Sequence, residues 1–138
     1  MQREILFRAQ EVGTKKWVYG SYQFYQYKML DGDDVQEHRI YYFDGHRQYY
    51  VRVIPKTVSQ YTGLTDKNGV KVFEGDFVNF GTMDKFLVEY KTYRDVTYGH
   101  GDSGEDMIVG FHVGSSYGTG NEPVVIGNFY DNPDLLEA

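Results

Sequence analysis

The chain has 138 residues, room for one domain of ordinary size or two small lobes sharing a core. Only 8 of them are Leu or Ala, against 28 β-branched and 24 aromatic residues, which excludes a helical bundle and makes an all-β fold the expectation. A formal charge of −6 opposes general phosphate-backbone binding, and zero Cys excludes a disulfide framework, a thiolate metal site and a thiol nucleophile.

In chain order, Arg3 to Ala9 mixes apolar and charged residues and predicts a first strand. Gly13-Thr14-Lys15-Lys16 turns into a second run from Trp17 to Tyr25, within which Gly20 marks a bulge or a close backbone approach. Asp31-Gly32-Asp33-Asp34 reads as a loop tip. Strands over Arg39–Phe43 and Tyr49–Ile54 follow, joined at Asp44-Gly45, a strong hairpin signal. Pro55 ends that pair and suits the first position of a single helical turn, which places a hinge between an N-terminal β lobe, 1–55, and a C-terminal part, 56–138, the two forming one compact unit. Thr65 to Gly69 is a turn. The remaining predicted strands are Val70–Phe73, Phe77–Phe80, Phe86–Tyr90, Met107–Val113 and Val124–Phe129, with a helical turn at Pro133 to Leu136. Polar, Gly-rich loops separate them at 99–106 and 114–121.

No segment carries a convincing catalytic signature. Gly101-Asp102-Ser103-Gly104 matches the nucleophile segment of chymotrypsin-like proteases in letters only, because a triad needs two barrels that together exceed this length. Glu105-Asp106 would also oppose charge developing in an oxyanion hole. His100, Asp102, Glu105, Asp106 and His112 are of metal-ligating type without a recognised spacing, and His100, Asp102, Asp106 and His112 define a minor reading as a metal-dependent hydrolase. The glycines of 114–120 precede a strand and lack the Lys-Ser or Lys-Thr of a phosphate loop. Tyr22, Tyr25, Tyr27, Tyr41, Tyr42, Tyr49 and Tyr50, near Arg39, Arg47 and Arg52, are of the kind that stacks on nucleic-acid bases, though Tyr is equally at home on half-buried strands and at interfaces.

A distinct motif spans Thr57 to Val78, reading TVSQYTGLTDKNGVKVFEGDFV. It resembles the core motif of the YopX family, small proteins encoded mainly by bacteriophages, prophages and other mobile elements. Arg3-Glu4-Ile5-Leu6-Phe7-Arg8-Ala9 with Trp17-Val18-Tyr19-Gly20 resembles the family's opening, and Val125 to Leu136 its closing segment. The family usually places Trp directly after the Arg-Ala of its first strand; Gln10 stands there instead, so no role of that Trp carries over. The motif residues Gln60, Tyr61, Thr62, Gly63, Leu64, Asn68, Gly69, Glu74, Gly75 and Asp76 suit turns and core filling. A Gly-Asp pair leading into an apolar strand recurs in SH3-like small barrels. The resemblance therefore implies an all-β fold with an SH3-like barrel in the C-terminal part, packed with the N-terminal β lobe.

The resemblance supplies no catalytic residue and no cofactor. The resulting expectation is a non-enzymatic phage or prophage accessory protein acting by protein–protein contacts, with an unidentified protein partner and with self-association into a homo-oligomer. A variant of that reading is an acidic decoy of a host nucleic-acid enzyme. The alternative is a nucleic-acid-binding accessory using the Tyr/Arg-rich N-terminal lobe, which the net charge disfavours. The N-terminus turns polar before a signal-peptide core forms, and no apolar run approaches the ~20 residues of a membrane span. A protein of the bacterial cytoplasm, without membrane contact, is expected.

Overall fold

The computed structural model of the chain describes residues 4–82, 84–95, 106–112 and 122–136. Strands and two short 3-10 turns make up the regular structure, and no α-helix occurs among the described residues. The fold is all-β, as the β-branched and aromatic composition requires. Among the described residues no helix is long and apolar enough to cross a membrane. The chain divides into two compact units, Met1–Leu64 and Thr65–Ala138.

The first unit is built on β1 (Phe7–Gln10), β2 (Trp17–Lys28), β3 (Asp34–Phe43), β4 (Gln48–Arg52) and β5 (Ser59–Thr65). They lie in the order β4-β3-β2-β1-β5, each antiparallel to its neighbours. A 3-10 turn at Pro55–Thr57 takes Pro at its first position and leads into β5. Because β5 then pairs with β1, Gln60 opposite Phe7 and Ser59 opposite Arg8, this unit runs beyond Pro55 to Leu64.

β1 meets only Trp17–Gly20 of β2, whereas β3 follows β2 from Ser21 to Lys28. The distal halves of β2 and β3 thus continue past β1 as a two-stranded ribbon. Its tip is closed by the Met29 N–H donating to the Asp33 carbonyl at 2.7 Å and by Gly32 at φ +96°. Gly20 sits where the ribbon leaves the sheet, and a Cβ there would lie 2.0 Å from the Tyr41 carbonyl oxygen. This is the close approach that its place inside a strand implied. One face of the sheet carries a small core of Ala9, Ile40 and Val53, with Phe7, Val18, Tyr22, Val51 and Val58 packed around it.

The second unit contains β6 (Lys71–Phe73), β7 (Asp76–Asn79), β8 (Phe86–Leu87), β9 (Glu89–Asp95), β10 (Asp106–His112) and β11 (Val124–Asn128), then a 3-10 turn at Pro133–Leu136. Its core is Val72, Val78, Phe80 and Val88, with Phe86 and Val125 against it. The described strands do not close a barrel. Strands β7 to β11 form a three-stranded sheet, β11-β7-β8, and a separate pair, β10-β9, so the SH3-like barrel expected of 56–138 is not found in their pairing. The division between the two falls at Val88, inside the single strand expected over Phe86–Tyr90. Val88 is buried, its N–H bonds the Asp76 carbonyl, and its own carbonyl takes the Gly75 N–H. The chain changes sheets there, pairing with β7 before Val88 and with β10 after it.

Candidate interaction face of the first unit

Side chains alternate across a strand, so residues two apart share a face. In register, Tyr25 lies opposite Glu37, Arg39 opposite Arg52 and Tyr41 opposite Tyr50. These six therefore fall on one face, turned away from the Ile40 core. The Arg39 guanidinium lies 4.1 Å from the centre of the Tyr25 ring and 4.2 Å from that of Tyr50. Its Nε and Nη2 donate to Glu37 Oε2 at 2.8 and 2.5 Å, and Nη1 donates to the Tyr41 hydroxyl at 3.1 Å. The Tyr41 bond and then the Glu37 carboxylate raise the Arg39 pKa, against a desolvation that lowers it. Arg52 approaches the other Glu37 oxygen at 3.9 Å.

The guanidinium is thus used on both faces and along its edges. Its charge is compensated by Glu37, leaving mainly the rings and the Tyr50 edge, half exposed, to meet solvent. The same pattern recurs on the neighbouring strands, where the Arg8 guanidinium sits 4.7 Å from the Trp17 ring centre. Trp17 is paired directly across from Gln10.

On the opposite face, the Tyr22 hydroxyl and His38 Nδ1 are 2.5 Å apart, and Phe24 packs on the same imidazole with centroids at 4.9 Å. Burial raises the Tyr22 pKa. Tyr42 and Tyr49 stack at 5.8 Å. At the hairpin turn, the N–H groups of Arg47 and His46 donate to Asp44 and lower its pKa. A shallow cleft of about 210 Å³ opens where Val12, Gln36, Glu37, Arg52 and Pro55 meet.

Of the aromatic and basic residues that the sequence singles out, the structure brings Tyr25, Tyr41, Tyr50, Arg39 and Arg52 together. It sends Tyr22, Tyr42 and Tyr49 to the other face and leaves Arg47 in the Asp44 turn. Glu37, the residue that organises the cluster, is one that sequence reasoning missed. Its signal was the two-residue spacing to Arg39, which a strand converts into a shared face.

The central motif residues lie elsewhere, at turns and along β5, and are buried in part. Tyr61 is buried and its N–H bonds the Leu6 carbonyl. Gly63, Gly69 and Gly75 all take positive φ, and Leu64 is exposed. The Asp76 carboxylate, fully buried, accepts the Phe73 N–H at 2.8 Å, closing the Glu74-Gly75 turn. Asn68-Gly69 is held by Asp66, which the motif reading passed over. Asp66 Oδ1 accepts the Asn68 and Val70 N–H groups at 2.8 and 2.9 Å, and Oδ2 accepts that of Val125 at 3.0 Å. Burial pushes its pKa up, but these three N–H groups outweigh it and leave the carboxyl below its ordinary value.

His100, Asp102 and Glu105 of the metal-type cluster, the Gly101–Gly104 segment and the glycines of 114–120 lie outside the described residues. Asp106 and His112 stand at the two ends of β10, about 20 Å apart at the usual rise per residue. Among the described residues, no three His, Asp or Glu side chains are grouped closely enough to share a metal ion.

A crystal structure of protein EF1440 from Enterococcus faecalis is similar over 98% of this chain and 99% of that one, at 20% identity and a TM-score of 0.42. No curated protein matches the chain. The family model described as YopX protein matches residues 6–137. With that match running over nearly its whole length, the chain belongs to the YopX family.

Proposed function

We propose that the chain is a non-enzymatic accessory protein of phage or prophage type, acting in the cytoplasm of a bacterial host by self-association and by contact with a protein partner. The aromatic–arginine face of the first unit is the surface that meets the partner. The observation that carries this reading is the Arg39 guanidinium held between Tyr25 and Tyr50 and fixed by Glu37. Tyr, Trp and Arg are the residues over-represented where protein interfaces concentrate their energy. Rings already held by a neutralised guanidinium lose little freedom on binding, so the face is preorganised for a large, amphipathic contact.

The same rings support the nucleic-acid reading less well. A phosphate would have to compete with Glu37 for Arg39 and Arg52, in a chain of charge −6. The test pairs Tyr50→Ser, an exposed edge position, with the unmodified protein in affinity capture from host lysate. A specific protein captured by the native chain and lost with Tyr50→Ser, at unchanged far-UV circular dichroism, supports the partner reading. Capture indifferent to Tyr50, or tight binding of single-stranded DNA or RNA at low salt, overturns it.

A further inference from the structure

The ribbon has two edges, and they are built differently. In an antiparallel ladder, alternate residues direct N–H and C=O to opposite sides. In β1 the even residues point away from β2: the Gln10 N–H bonds the Thr57 hydroxyl, its carbonyl takes the Ile54 N–H, and the Leu6 carbonyl takes the Tyr61 N–H. Phe7 and Ala9 are left to bond Gly20 and Val18, so the even residues of β2 face β1. The odd residues face β3, as the Met29 N–H to Asp33 carbonyl bond confirms at the tip. Tyr22, Phe24, Gln26 and Lys28 therefore send their backbone groups outward, past the point where β1 ends. Among the described residues no strand pairs with them there.

An edge of this kind is ordinarily protected by charge, Pro or a bulge. Of the four outward residues only the last, Lys28, is charged; the run Trp17–Tyr27 before it contains neither a charged residue nor a Pro, and Phe24 and Tyr25 are 44% and 38% exposed. The opposite edge, on β3, carries Asp34 and Glu37.

We propose that the β2 edge pairs with the β2 edge of a second copy, antiparallel about a two-fold axis at Tyr25, joining two sheets into one. The inference rests on the self-association part of the proposed function and assigns it a surface and a register. A two-fold perpendicular to the sheet keeps side-chain faces aligned, so even residues must meet even residues. Only one such register uses all four outward residues: Tyr22 opposite Lys28 and Phe24 opposite Gln26, giving about eight backbone hydrogen bonds. Centring the axis on Phe24 would set Lys28 against Gly20, which is already bonded to β1. Centring it on Gln26 would leave Tyr22 unused. The register also keeps the two copies' charges apart, because the lone charged residue of each edge, Lys28, meets a neutral Tyr at the far end of the ladder from its copy and is compensated within its own chain by Asp34 at 3.8 Å. That is the argument for a second copy over an unrelated strand. In this arrangement Tyr25 meets its own copy, and the two Arg39 clusters lie on one continuous face.

Size-exclusion chromatography with light scattering tests the edge. The native chain is expected at the mass of two copies, or an even multiple. Gln26→Pro deletes one outward N–H while sparing every bond to β3, and should halve the mass at unchanged circular dichroism. Gln36→Pro, its cross-strand neighbour on the other edge, should leave the mass unaltered. The register has its own test, because the chain has no Cys. Tyr25→Cys should form a disulfide-linked dimer under mild oxidation, its two Cα atoms lying ~4.5 Å apart, whereas Gln23→Cys, about four residues out of register with its copy, should not. A monomeric native chain, or a dimer that survives Gln26→Pro and yields no Tyr25→Cys link, overturns the proposal. So does a native chain that acquires a different protein's strand at this edge while remaining single-copy. Partner capture through Tyr50 is read separately, so either reading can fail alone.

Discussion

The first unit holds its strands together largely with side chains, and the second holds its turns largely with backbone. In the first, cross-strand stacks of Tyr, Arg and His line both faces of a long ribbon, while the buried apolar cluster consists of Ala9, Ile40 and Val53 alone. In the second, strands are short, Val and Phe fill the core, and two buried carboxylates, Asp66 and Asp76, tie the reversals to main-chain N–H groups. Surface stacks contribute roughly 0.2–1 kcal/mol per pair. A carboxylate buried against several N–H groups is harder to replace, because each donor left unsatisfied costs about 1–3 kcal/mol. The first unit has therefore spent its aromatic residues where they remain available for contact, and its stability rests on few positions.

That contrast can be broken by cutting into each core, allowing about 0.8 kcal/mol for the extra methylene that an Ile loses. Ile40→Ala should remove about 4 kcal/mol, whereas Val78→Ala in the larger core of the second unit should remove about 2 kcal/mol. The single Trp, Trp17, sits in the first unit, so its fluorescence midpoint in urea should fall steeply with Ile40→Ala and less with Val78→Ala. Equal losses by that probe would mean the thin core is not what limits the first unit. Gly20→Ala comes next, at about 3 kcal/mol. Its Cβ would meet the backbone carbonyl of Tyr41 at 2.0 Å, and a ladder partner can retreat only by breaking register. Hydrogen exchange should then show β2–β3 opening ahead of β7–β11.

How much of this was legible beforehand depends on the range of the interaction. Local chemistry announced itself: Asp44-Gly45 closes its hairpin, Pro55 starts its 3-10 turn, and Gly20 lies against a neighbouring backbone. The all-β class followed from composition for the same reason, since propensity acts residue by residue. The Arg39 cluster was half visible. Its Tyr and Arg members were named, but Glu37 was not, because one acid among many gains meaning only once a strand sets it two residues from Arg39. The ribbon's length was also hidden, as Asp34 looks like a loop residue until Lys28 pairs with it. Least legible was the break at Val88. A run from Phe86 to Tyr90 reads as one strand, and only the long-range bonds from Gly75 and to Asp76 divide it.

Asp66 gives the finest test of the comparison, because its contribution depends on pH. Its folded pKa lies below the unfolded value, ordinarily about 3.9. The stability it supplies is therefore complete above that value and is lost as pH falls through the lower, folded one. Asp66→Asn keeps the shape but halves the accepting capacity facing Asn68, Val70 and Val125, and should destabilise the second unit by about 2 kcal/mol at neutral pH. Once the pH has fallen through that lowered folded pKa and the native carboxyl has taken up a proton, the two proteins should converge in urea midpoint. Amide exchange at Val70 and Val125 should report the neutral-pH difference locally. A gap of the same size at both pH values would show that Asp66 acts by packing alone, and the distinction drawn between stacked side chains and anchored backbone would then lose its second half.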